Sequence, residues 1–181
     1  MTCIVGVESD PGAILAGDSA CVGNHHTRKS RNSKVLKFDG IELALGYTTS
    51  FRMGQILEHH LCPPDINSES ERFYAIDVLL PKIRHVLESK GFTKIKNNRK
   101  EGGMFLLAVK NKIFKVQKDF SVIRFDQPFF ALGTGAREAY GAMAAMKEDN
   151  PVKLAQRAVK AAAEFNTSVE LPVTVCRTTS V

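Results

Sequence analysis

Short apolar runs broken by turn-forming residues open the chain. Cys3 to Val7 and Ala13 to Ala16 flank Ser9-Asp10-Pro11-Gly12, which predicts a β-hairpin with Thr2 at the start of its first strand. After a polar loop from Gly23 to Arg31, the runs Lys34 to Phe38 and Ile41 to Gly46 repeat the pattern around Asp39-Gly40, a strong hairpin signal. The period then lengthens. Phe51, Ile56 and Leu57 predict a helix from Ser50 to Leu61, stopped by Pro63-Pro64. From Ser70 onward, Phe73, Ile76, Val78, Leu79, Leu80, Ile83, Val86 and Leu87 recur largely at helical spacing, with Pro81 marking a kink or an adjusted boundary.

Strands return at Met104 to Val109, Lys112 to Val116, Val122 to Phe125 and Phe129 to Gly133. Two further helices follow, Ala136 to Lys147 and one opened by Asn150-Pro151, and Val173 to Arg177 forms a last strand. Runs of hairpin-linked strands segregated from helix pairs predict an α+β fold: two antiparallel sheets flanked by helix pairs, a four-layer αββα sandwich. The 181 residues fit a single domain spanning 1–181.

Composition adds limits. A hydrophobic content of 44% with 24% charged residues is that of a globular chain. The net charge of +6 is concentrated between Lys82 and Lys118, where Lys94, Lys96, Arg99, Lys100, Lys110, Lys112, Lys115 and Lys118 alternate with apolar residues. That pattern favours a solvated face over a nucleic-acid site. Cys3, Cys21, Cys62 and Cys176 show no metal-ligand spacing, so reduced, structural cysteines and no zinc site are expected. The adjacent pairs His25-His26 and His59-His60 do not share a helix face and read as solvated. Gly133-Thr134-Gly135 lacks the rest of a phosphate loop. With no apolar stretch of membrane-spanning length and no signal-like start, a cytoplasmic protein without cofactor is expected.

The candidate chemistry lies at residue two. If Met1 is removed, Thr2 combines a hydroxyl nucleophile with a free α-amino group, whose ordinary pKa of about 7.7 to 8.0 suits a base near neutrality. An attached methionine would make that nitrogen a peptide nitrogen and abolish its basicity. Asp18, at the end of the second strand in Ala16-Gly17-Asp18, and Lys34, opening the third, can be carried beside Thr2 by hairpin topology and form a charge-assisted pair.

A terminal Thr, Ala-Gly-Asp sixteen residues on and a lysine sixteen further make the chain resemble the N-terminal nucleophile (Ntn) hydrolases of proteasome β-subunit type, and HslV peptidases in particular. Ala44-Leu45-Gly46-Tyr47, Ala131-Leu132-Gly133-Thr134-Gly135 and the Ala-rich helix from Ala155 to Glu164 resemble further segments of that family. The resemblance implies Thr2 as nucleophile, its own amine as base, and Lys34 and Asp18 as the supporting pair. It places Thr134 where the family has a serine that helps hold the amine, and Glu164 and Thr167 at its second acidic and hydroxyl positions. It puts an oxyanion donor in Thr48-Thr49-Ser50, most simply the backbone N–H of Ser50 or Thr49. Thr49-Ser50 replaces the family's Gly-Gly, and the exchanges to Thr134 and Glu164 keep hydrogen-bonding type but change reach.

The resemblance further implies a homo-oligomeric ring, most like a double hexamer, fed with unfolded protein or peptide substrates by an AAA+ ATPase unfoldase. The leading expectation is therefore a threonine endopeptidase. The alternatives are a catalytically silent ring or scaffold subunit, a non-proteolytic Ntn amidohydrolase and, from the basic segment alone, a nucleic-acid-binding domain.

Overall fold

A computed structural model describes residues 2–23, 26–67 and 70–179. Met1 and His25, both named above, lie outside the described residues.

Two antiparallel sheets stack face to face. The first contains β1 (Cys3–Val7), β2 (Ile14–Gly17), β12 (Phe129–Gly133) and β13 (Thr174–Arg177), in the order β12-β1-β2-β13. The second contains β5 (Val35–Phe38), β6 (Leu43–Tyr47), β9 (Phe105–Val109), β10 (Lys112–Val116) and β11 (Val122–Ile123), in the order β11-β10-β9-β6-β5. Strand alternation decides what each sheet face meets. In β1, Cys3, Val5 and Val7 point to a helix-covered core while Ile4 points to the other sheet. In β9, Phe105, Leu107 and Val109 face helices while Leu106 and Ala108 join Ile4, Leu15, Ala44 and Phe130 between the sheets.

Helices close both outer faces. Over the first sheet lie α4 (Ala136–Ala145) and α5 (Pro151–Phe165), and the small buried residues Ala155, Ala158 and Ala162 let α5 sit close to the strands. Over the second lie α1 (Phe51–His60) and α3 (Leu80–Ser89), with the short, unburied α2 (Glu71–Phe73) leading toward α3. This is the expected four-layer αββα sandwich.

Several expectations are corrected in detail. The helix beginning near Ser70 is one helical path whose middle, Tyr74–Leu79, is a wider π-type turn, in which the Leu80 N–H donates to the Ala75 carbonyl. Pro81 then falls in the first turn of α3. A proline there lacks an N–H and would clash in a continuous α-helix, and the widened turn just ahead absorbs the mismatch. The loop expected from Gly23 to Arg31 contains β4 (His26–Lys29), paired with β3 (Ala20–Gly23). The basic stretch holds a second hairpin, β7 (Lys94–Lys96) with β8 (Arg99–Glu101). Among the described residues, six strands, not four, precede the first helix. No helix among the described residues is long and apolar enough to cross a membrane.

Candidate active site

Thr2 sits just ahead of β1, beside the last residues of the neighbouring β12. The Gly135 N–H donates to the Thr2 carbonyl at 3.2 Å, and the Thr2 backbone N–H donates to Thr134 Oγ1, also at 3.2 Å. This close approach requires Gly133. Its φ is +105°, and a Cβ there would lie 2.1 Å from the Thr2 carbonyl oxygen. The loop leaving β12 thus clamps Thr2 from one side.

Sheet packing brings the other partners. β2 ends at Gly17, where a Cβ would lie 3.0 Å from Ile4 Cδ1, 3.3 Å from Val35 Cγ1 and 3.5 Å from Lys34 Cβ. Its missing side chain lets the second sheet approach, with Asp18 following β2 and Lys34 preceding β5. Thr2, Asp18 and Lys34 are only 1%, 2% and 3% exposed. Asp18 Oδ1 accepts from the Thr2 hydroxyl, from the Cys3 N–H at 2.9 Å and from Lys34 Nζ at 2.8 Å. Its Oδ2 accepts from the Ala20 N–H at 2.9 Å and the Glu170 N–H at 3.3 Å. Five donors on one buried carboxylate offset its desolvation and fix its direction.

Burial pushes the Lys34 ammonium below its ordinary pKa, opposed by the Asp18 charge and hydrogen bond. The same ammonium lies 5.9 Å from the Phe51 ring centroid, a cation–π distance. Burial pushes the neighbouring Cys3 thiol up to about 12, with Asp18 and Glu138 adding to the rise. Cys3 is therefore a packed thiol whose Sγ donates to the Gly135 carbonyl at 3.5 Å.

Across the cluster, residues 47–50 lead from β6 into α1. Thr49 has φ +83°, and the Ser50 N–H donates to the Thr48 carbonyl at 3.0 Å, closing a γ-turn around Thr49. The Ser50 side chain caps α1 by accepting from the Arg52 N–H. The Thr48 N–H donates to Met104. Of the three amides considered for the oxyanion, only that of Thr49 has no partner among the described residues. It lies next to the positive end of the α1 dipole. A cleft of about 150 Å³ joins these parts, lined by Thr2, Lys34, Cys21, Thr48, Thr49 and Phe51 among others.

Glu164 and Thr167 are not drawn in. Both are exposed, and their side chains have no hydrogen-bond partner among the described residues. α5 continues to Phe165, and at about 100° per residue Glu164 falls on its solvent side. Asn166, just past that helix, makes the connection instead: its Nδ2 donates to the Thr134 carbonyl at 3.1 Å and to Glu138 Oε1 at 3.3 Å. Neither Glu138 nor Asn166 stood out in the sequence, and the one available signal was an Asn at the end of an Ala-rich helix. No cluster of three or more His, Cys, Asp or Glu able to hold a metal ion occurs among the described residues. Cys21 and Cys62 are exposed rather than packed, and all four cysteines are free.

Solved structures share this arrangement of layers. BPH from Thiobacillus denitrificans, in complex with epoxomicin, superposes with a TM-score of 0.76 at 20% identity, covering 98% of this chain and 100% of its own. The Anbu complex of Pseudomonas aeruginosa, described as a helical assembly, gives 0.67 at 15%, covering 97% and 80%. HslV from Trypanosoma brucei gives 0.64 at 16%, covering 96% and 98%. The chain has the proteasome-like Ntn-hydrolase fold. Within that fold HslV is not singled out, since BPH superposes more closely. No family model and no curated protein sequence matches the chain.

Proposed function

We propose that this chain is a threonine-type peptidase with Thr2 as its terminal nucleophile. The observation that carries the reading is the buried hydrogen-bonded cluster: the Thr2 hydroxyl on Asp18, Asp18 on Lys34, and the Thr2 nitrogen on Thr134, at the edge of a cleft.

With Met1 removed, the Thr2 nitrogen becomes an amine. Thr2 Oγ1 attacks the peptide carbonyl carbon as its proton passes to that amine. The tetrahedral oxyanion takes the free Thr49 N–H, and the buried Lys34 cation favours the developing negative charge. Collapse breaks the C–N bond, and the ammonium returns the proton to the leaving amine, forming an ester on Thr2. Water, deprotonated by the same amine, then hydrolyses the ester and frees Thr2. Throughout, Asp18 holds Lys34.

Unfolded protein or peptide is the substrate class. The assembly that fits is a homo-oligomer enclosing the clefts, by resemblance a double-hexameric ring served by an AAA+ unfoldase in the cytoplasm. The Anbu complex, on the same fold, is described as a helical assembly. A peptide hydrolysis assay is the test: turnover is lost in Thr2→Ala. Purified protein that retains Met1, shows no turnover and is unaffected by Thr2→Ala contradicts the reading.

A silent scaffold subunit is the second reading, favoured by β-branched Thr49 in a left-handed turn where the resembled family carries glycine. Turnover that depends on Thr2 would eliminate it.

A further inference from the structure

Glu138 carries a charge that nothing so far employs. It is the third residue of α4, three beyond the cap residue Gly135. A glutamate there ordinarily accepts the cap residue's N–H, but the Gly135 N–H is taken by the Thr2 carbonyl. Glu138 instead leans toward Asn166, its Oε1 accepting at 3.3 Å, while its Oε2 is buried without a partner. A buried acceptor left unsatisfied is costly. Asn166 donates from the same Nδ2 to the Thr134 carbonyl, and Thr134 Oγ1 receives the Thr2 N–H. The chain of contacts therefore runs from a carboxylate on α4 to the nitrogen assigned as base.

We propose that Glu138 is a positioning residue that, through Asn166 and Thr134, orients the Thr2 amine and keeps its basicity high. The proposal rests on the reading of Thr2 as a terminal nucleophile. A carboxylate near an amine favours the ammonium form, so Glu138 raises the amine's pKa, whereas the Lys34 cation lowers it. The two charges act on the base in opposite directions. The other titratable groups facing this point are Cys3 on β1 and Asp18 after β2, with Cys21 on β3 and Tyr47 on β6 lining the same cleft as Thr2. β12 carries none, Arg137 and the α5 residues Lys153, Arg157, Lys160 and Glu164 are exposed, and Tyr140 is half-buried. The reach of the Glu138 charge is visible at Cys3, whose thiol it helps to push up.

The test uses full-length protein released from an N-terminal fusion so that Thr2 is the first residue. Acylation of the Thr2 amine by trace acetic anhydride is followed against pH by mass spectrometry of the N-terminal peptide. In Glu138→Gln the amine pKa falls by about half a unit or more, and Glu138→Asp restores much of it. The acid limb of kcat/KM for peptide hydrolysis moves to lower pH by the same amount. An amine that titrates identically in wild type and Glu138→Gln overturns the proposal. If Glu138→Gln does not fold, Asn166→Ala, which breaks the link to Thr134, must show the fall, and an unchanged value there overturns it equally. The amine titration does not need turnover, so absent hydrolysis with a shifted pKa would sink the peptidase reading alone.

Discussion

At the scale of single residues, Thr49 is the most informative position of the cleft. A β-branched residue at φ +83° stores about 1–3 kcal/mol of backbone strain. Of the Thr48, Thr49 and Ser50 amides, the geometry it maintains leaves its own without a partner among the described residues. Thr49→Gly is expected to raise stability by about 1 kcal/mol, the relief of strain exceeding the extra chain entropy of glycine, as read by urea denaturation. Lys34 behaves oppositely. Replacing it by Met strands the Asp18 charge in the interior, so a loss of about 3–5 kcal/mol is expected along with loss of turnover. Alkaline pH tests the buried thiols. Cys3 is raised from 9.0 to about 12 and Cys176 from 9.0 to about 11, so the folded state keeps protons that the unfolded state releases. Their contribution is complete below pH 9 and is lost as pH rises through the folded values, each thiol steepening the fall by about 1.4 kcal/mol per pH unit within its window. Denaturation midpoints at pH 8 and pH 10 should show this, with a weaker slope in Cys3→Ala. Thr2, Asp18 and Lys34 were legible in the sequence because each stands at a strand end at fixed spacing. Glu138 and Asn166 were not, because only the packing of α4 beside α5 brings them to Thr2.

Among the elements, legibility followed burial. β1, β9 and β12 bury both faces against a sheet and a helix pair, so their apolar runs stand out. The β3–β4 and β7–β8 hairpins are largely exposed, and no buried apolar run marks them. Helix placement depends on close approach: a Cβ on Gly54 of α1 would lie 2.1 Å from the Tyr47 ring on β6. Gly54→Ala should push α1 off the sheet and destabilise the protein by about 1–3 kcal/mol, and because α1 begins at the cleft it should also impair turnover. Asn150 caps α5 through the Val152 and Lys153 N–H groups, each at 3.0 Å. Asn150→Ala should cost about 1 kcal/mol with turnover unchanged, since the cap lies at the far end of α5 from Asn166. Thermal denaturation separates the two variants from an undisturbed control.

At the scale of the whole molecule, two sheets held between helix pairs bring a strand start, a strand end and a strand approach to one point between the layers. That convergence is what a terminal nucleophile requires: a buried charge pair behind it, a loop that clamps its backbone and an open cleft in front. The central claim is that Thr2 reacts as a terminal nucleophile. Intact mass and peptide mapping of protein purified from cells, before and after treatment with an electrophilic threonine-protease inhibitor, test it most directly. The account predicts a chain lacking Met1 that gains one inhibitor adduct, mapped to Thr2 and absent in Thr2→Ala. A chain that retains Met1, or one that begins at Thr2 and gains no adduct, would contradict it.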